Sequence, residues 1–80
     1  MDFEQIFAAA VFSAEKEAAE ACITASDVIE EARSDLWAMG RAHGLERDDI
    51  QAIADRYVVW DEQDRPWPRK DIDWGNVVAL

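Results

Sequence analysis

His43 is the one imidazole of the chain and Cys22 the one thiol. A nucleophile needs a base within hydrogen-bond reach, yet Ser13, Ser26 and Ser34 have no histidine at a motif spacing, and Cys22 has none nearby. His43 closes an apolar arc just before Gly44, which suits a helix end better than a catalytic base. Acid–base work by two carboxylates requires an apolar pocket that separates their roles, and none of the 18 acids is set apart in that way. The three glycines form no phosphate-cradling loop. The residues therefore predict a non-enzymatic protein with no catalytic residue, no metal and no cofactor.

The other chemistry available is recognition by charge. Glu15, Glu17, Glu20, Asp27, Glu30, Glu31 and Asp35 sit among only Lys16 and Arg33, and residues 1–40 carry nine acids against two bases, a net −7. Such a run is either a solvated helix face or a surface that meets Lys and Arg of a partner. Seven acids over about 30 Å of helix give one charge per ~4 Å, against one per ~1.7 Å of duplex, so close mimicry of DNA is not expected from this helix alone. Glu17, Glu20, Asp27, Glu30, Glu31 and Asp35 are the candidate partner-binding acids. Phe12 and Trp37 join them, because each lies opposite its helix's apolar arc and large exposed aromatics anchor interfaces. Two quieter roles stay open: Trp37 stacks on Arg33, and Phe12 touches the C-terminal segment.

Two amphipathic helices hinged at Gly44 carry most of this set. With Ser26 as N-cap, Asp27, Glu30 and Glu31 fall at the positive end of a helix whose arc is Val28, Ile29, Ala32, Leu36, Met39 and His43. Gly44 ends it, and Leu45 is placed to staple onto Ile50 of a second helix capped by Glu46. Asp48 and Asp49 lie in the first turn of that helix, and Ile50, Ile53, Ala54, Tyr57 and Val58 form its buried stripe, with Trp60 at the edge.

Residues 2–22 predict a preceding helix whose arc runs through Phe3, Ile6, Phe7, Ala10, Val11, Ala14, Ala18 and Ala21, with small residues that let another helix approach. No Gly or Pro interrupts the pattern before Gly40. A single helix to His43 would be ~60 Å long, too long for a small globule unless it pairs with a second copy. Thr24 and Ser26 as caps favour a break instead. After Trp60, Pro66 and Pro68 flank Trp67 and impose extended or polyproline geometry. Ile72 and Trp74 alternate with Asp71 and Asp73 as in a short strand, Gly75-Asn76 reads as a turn, and 77–80 as a strand or docked tail. Trp60 and Trp74 are expected to pack over the hairpin, and Arg65, Arg69 and Lys70 to neutralise the chain's own acids; a phosphate or acidic partner for these bases is the alternative.

The fold class expected is mainly α: a small helical domain of two to three helices with an extended or short β C-terminal segment packed on it. It forms a single domain over 1–80, helical over 1–60 and extended over the Trp/Pro-containing 61–80. Fourteen of the apolar residues are alanine, so the core is thin and a partner or second copy is expected to add burial. A net charge of −10 excludes a direct nucleic-acid or anionic-membrane binder and suits a basic protein partner. Asp2 and Glu4 stand where a secretory leader needs positive charge, no apolar run approaches a membrane span, and the lone cysteine implies no disulfide, so a cytoplasmic location in a bacterial host is expected.

In size, charge and alanine-rich helical make-up, the whole chain resembles the small acidic anti-CRISPR inhibitors of phages and mobile elements. No motif carries the resemblance, so it assigns no residue. It implies a protein that docks on a basic nucleic-acid-binding surface of a CRISPR effector complex and blocks target DNA binding. A homo-oligomeric assembly or adaptor protein, possessing an alanine seam and Trp37 for self-association, is the second expectation. A helix-turn-helix repressor is disfavoured, because Asp48, Asp49 and Asp55 would face phosphate on its recognition helix.

Overall fold

Each long helix is closed at both ends by its own local chemistry. The computed structural model describes residues 2–77. Helix α1 spans Phe3–Ala21; the Asp2 carboxylate accepts the Gln5 N–H at 2.8 Å and the Gln5 side chain accepts the Asp2 N–H at 3.2 Å. It stops because Cys22 turns left-handed (φ 58°), sending the Ile23 N–H back to the Ala18 carbonyl at 2.9 Å. The break near residue 22 is therefore real, and the two helices lie as a hairpin instead of one rod.

The second helix, α2 (Ala25–Ala42), is capped by Thr24 rather than Ser26. The Thr24 hydroxyl accepts the Asp27 N–H at 3.2 Å, and the Asp27 carboxylate accepts the Thr24 N–H at 3.0 Å. Ser26 instead lies inside the first turn, wholly buried, where its Oγ meets no hydrogen-bond partner. Gly44 (φ +85°) ends α2 as expected, with the Leu45 N–H returning to the Gly40 carbonyl at 3.1 Å. The same closure thus ends both helices, on a glycine in one and a cysteine in the other.

Helix α3 (Arg47–Tyr57) begins at Glu46, whose N–H donates to the Asp49 carboxylate at 3.1 Å. It is shorter than the periodicity suggested. Val58 is buried as predicted, but it and Trp60 belong to a strand, β1 (Val58–Trp60), so the helical part does not reach residue 60. The partner strand β2 is Pro66–Pro68, antiparallel in the register Val58↔Pro68, Val59↔Trp67, Trp60↔Pro66. Asp61 N–H donates to the Arg65 carbonyl and Arg69 N–H to the Tyr57 carbonyl, so the ladder bonds fall on odd-numbered residues. Both prolines occupy even positions and cost the ladder nothing. The strand expected at Ile72 and Trp74 is absent; Trp74–Val77 form a one-turn helix, α4. The strand or docked tail anticipated over 77–80 lies, for 78–80, outside the described residues.

The core lies where α1, α2 and α3 meet, around Phe3, Phe7, Val11, Ile29, Leu36, Ile50 and Val58. The ribbon covers one end of it: Val58, Pro66 and Pro68 point inward, and Val59 and Trp67 outward. The alternation explains why one strand can pack on α2 and still offer a tryptophan to the surface.

Candidate protein-interaction face

The hairpin brings the C-terminal half of α1 beside the N-terminal half of α2, so the acids of two sequence stretches gather at one end of the molecule. Glu17 and Glu20 are exposed near the end of α1, where no basic residue occupies the last turn. Acids there face the negative end of the helix dipole, the unfavourable placement. Glu31 and Asp35 are exposed on α2. None of these four forms an ion pair among the described residues, whereas Arg33, Arg56, Arg65 and Arg69 are engaged with Glu30, Glu4, Asp27 and Asp71.

Two of the six predicted acids are committed internally. Asp27 closes the α2 capping box and holds Arg65 of the ribbon at 2.5 Å. The Thr24 hydrogen bonds, backbone first, and then the Arg65 guanidinium hold its carboxyl below the usual carboxylate range. Glu30 lies 3.6 Å from Arg33. Of the three bases expected to neutralise the chain's own acids, Arg65 and Arg69 do so, whereas Lys70 forms no ion pair among the described residues.

The two aromatics take the quieter roles. Trp37 does not stand opposite the buried arc; it is half-buried, its ring set edge-on to Phe7 at 5.9 Å. The Arg33 guanidinium lies 5.6 Å from the Trp37 ring and 4.7 Å from the Trp60 ring. Phe12 keeps about a third of its surface exposed (37%) while its ring packs 5.9 Å from Trp74. Trp74 also meets Tyr57 at 5.8 Å and donates its indole N–H to the Arg69 carbonyl at 2.7 Å.

Residues that charge and size did not mark also shape this face. Along α1, Ile6, Ala10, Ser13 and Glu17 recur at steps of four, three and four; along α2, Val28, Ala32, Asp35 and Met39 do the same. Between the helices lies a hollow of about 230 Å³ with Ala10, Val28, Ala32 and Leu36 on its apolar floor and Ser13 and Glu17 on its rim. The repeated spacing is the signal that could have found it. A larger hollow, about 720 Å³, opens between α2 and α3, but each wall carries one arginine and one acid, Arg33 with Glu30 and Arg47 with Asp48, so its charges compensate. The smaller groove is lined by no base.

The turn of the ribbon is organised by one carboxylate. Asp61 accepts the N–H groups of Gln63 and Arg65, each at 2.9 Å, and the Trp67 indole N–H at 2.9 Å. These bonds, the Trp67 one foremost, hold its carboxyl below the usual range. The segment Arg65-Pro66-Trp67-Pro68-Arg69 is thus a docked strand whose arginines reach Asp27 and Asp71.

Among the described residues no three His, Cys, Asp or Glu side chains gather as metal ligands, and no helix is long and apolar enough to cross a membrane. Cys22 and His43 are both exposed and lie at different helix ends. No protein-family model matches the chain, and no curated protein or solved structure matches it either.

Proposed function

We propose that this chain is a non-enzymatic protein-binding module that docks its acidic α1–α2 face on a basic surface of a partner protein. One observation carries the reading: Glu17, Glu20, Glu31 and Asp35 are exposed together without an ion-pair partner among the described residues, while half of the chain's eight bases are engaged with other acids. Glu20 lies in the last turn of α1, where the helix dipole repels it, so its placement does not serve the isolated fold. The specific form of the proposal is an inhibitor of the anti-CRISPR type, covering a nucleic-acid-binding surface of a CRISPR effector subunit and blocking target DNA. The small size, the net −10 and the helical make-up support that form.

The test is association kinetics with a purified effector complex at low and high salt, together with competition against its target DNA. Reversal of Glu17, Glu31 and Asp35 to Lys should slow association about tenfold or more at low salt, because clustered charge steers encounter. Circular dichroism should be unchanged. A variant that associates as fast as wild type reduces the acids to a solvated face.

A second reading, a self-assembling or adaptor protein, draws on different residues from those expected. Ile23 and Val59 are each 44% exposed and Trp67 36%, and Ile23 and Trp67 line one hollow beside the ribbon. Sedimentation of wild type and Trp67→Ser across a concentration series separates this reading from the first: an assembly weakens with the substitution, an acidic monomer does not.

A further inference from the structure

Resting on the reading above, we infer that the groove between α1 and α2 is the seat of one amphipathic helix of the partner, apolar on its inner face and carrying Lys or Arg along both flanks. Three observations combine. The first is spacing: both walls repeat at four, three and four residues, the step at which a third helix sets its side chains between those of two others. The second is size. Ala10 and Ala32 leave the floor of the hollow low, so an incoming helix can approach closely and place larger apolar side chains beside Val28 and Leu36. The span from Ile6 to Glu17 is about 16 Å at 1.5 Å per residue, three turns of a docked helix.

The third is charge. Glu17 stands on the α1 wall and Asp35 shares the Val28–Ala32 side of α2, so each flank of an occupant meets a carboxylate and the hollow itself is lined by no base. A second copy is a poor occupant: its own outward arcs carry Glu20 and Glu31 and would bring like charge against like. An extended peptide is equally poorly matched, because its two-residue repeat does not follow the helical stripes. The half-buried state of Ile6, Ala10, Val28 and Ala32 is what an open third side of a helical layer leaves.

The probe is a fluorescently labelled synthetic Leu/Lys peptide of five turns whose leucines fall on one helical face. Its control is a peptide of identical composition with the leucines spread around the helix. Two variants occlude the groove: Ala32→Phe fills its floor, and Ser13→Arg places a bulky cation on its exposed rim without touching the core. The charge reversal Glu17→Lys/Glu31→Lys/Asp35→Lys is measured beside them, and circular dichroism monitors each fold. The amphipathic peptide should bind at least about tenfold tighter than its control, and Ser13→Arg should weaken it by a similar factor. Equal binding of the two peptides, or full affinity in Ser13→Arg, overturns the groove. If charge reversal still weakens binding in that case, the acidic docking face stands without this seat; if it too has no effect, both readings fall. Dimerisation of the wild type that Ser13→Arg abolishes would identify the occupant as a second copy and overturn the inference.

Discussion

A β-carbon on Gly40 would stand 2.7 Å from Cδ1 of Ile50 and 3.1 Å from Cζ of Phe3. Ile50 is fully buried and Phe3 nearly so, so neither side chain can swing away into solvent. The absence of a side chain in the last turn of α2 is what lets α3 cross it at this distance.

Gly40→Ala should therefore destabilise the fold although it improves helix propensity. Overpacking costs about 1–3 kcal/mol, and alanine returns roughly 1 kcal/mol of propensity, leaving a net loss of up to about 2 kcal/mol. Urea denaturation checks this by a lower midpoint at unchanged slope; a midpoint equal to wild type would mean that α3 is free to shift.

Cys22 and Gly44 occupy equivalent left-handed positions, and only one of them is a glycine. Relieving the cysteine's strain should exceed the added flexibility of the unfolded chain, so Cys22→Gly is expected to stabilise by about 0.5–1 kcal/mol. The measurement is the shift in thermal midpoint, with Gly44→Ala as the reciprocal loss. A destabilised Cys22→Gly would show that the thiol makes a contact worth more than the backbone strain.

Ser26→Ala should be neutral or stabilising by up to about 1 kcal/mol, since the hydroxyl it removes is buried without a partner. It also separates the two possible caps of α2. Thr24→Ala should cost about 1 kcal/mol, and helix content followed by circular dichroism during denaturation compares the pair. The reverse order of effects would return the cap to Ser26.

Asp27 and Asp61 both titrate below the ordinary carboxylate range in the folded protein. Their contribution is fully present above the unfolded value near pH ~4 and is lost as pH falls through the lower folded values. The difference between wild type and Asp27→Asn/Asp61→Asn isolates the pair: it should be constant above pH ~5 and shrink toward acid. Tyr57 gives the opposite sign. Burial first, then the nearby Glu4 charge, raises its phenol, so its share persists below pH ~10 and is lost as pH rises through the folded value.

The helices were legible in the sequence because their signals are local: apolar steps of three and four, Gly44 before Leu45, and acids following Glu46. The Thr24-x-x-Asp27 spacing was equally local and pointed to the true cap, but Ser26 competed for the role. The ribbon was less legible. Proline in a strand is tolerated only when its nitrogen faces away from the partner, and that depends on a register set by the Asp61 turn. The half-buried position of Trp37 depends on where Phe7 comes to lie, a contact between residues far apart in sequence. The acidic face was visible in composition; which acids are already engaged was not, since Arg65 reaches Asp27 across 38 residues.

Pro66 and Pro68 have a consequence for the fate of the protein at high concentration. An isolated two-stranded ribbon has two open edges on which copies can stack into extended sheets. Along the outer edge of β2, the nitrogens turned away from β1 at 66 and 68 carry no hydrogen. A further strand arriving there finds acceptors without donors and cannot form a continuous ladder. Sheet growth from that edge is blocked by the backbone itself, whatever the side chains around Trp67 are doing.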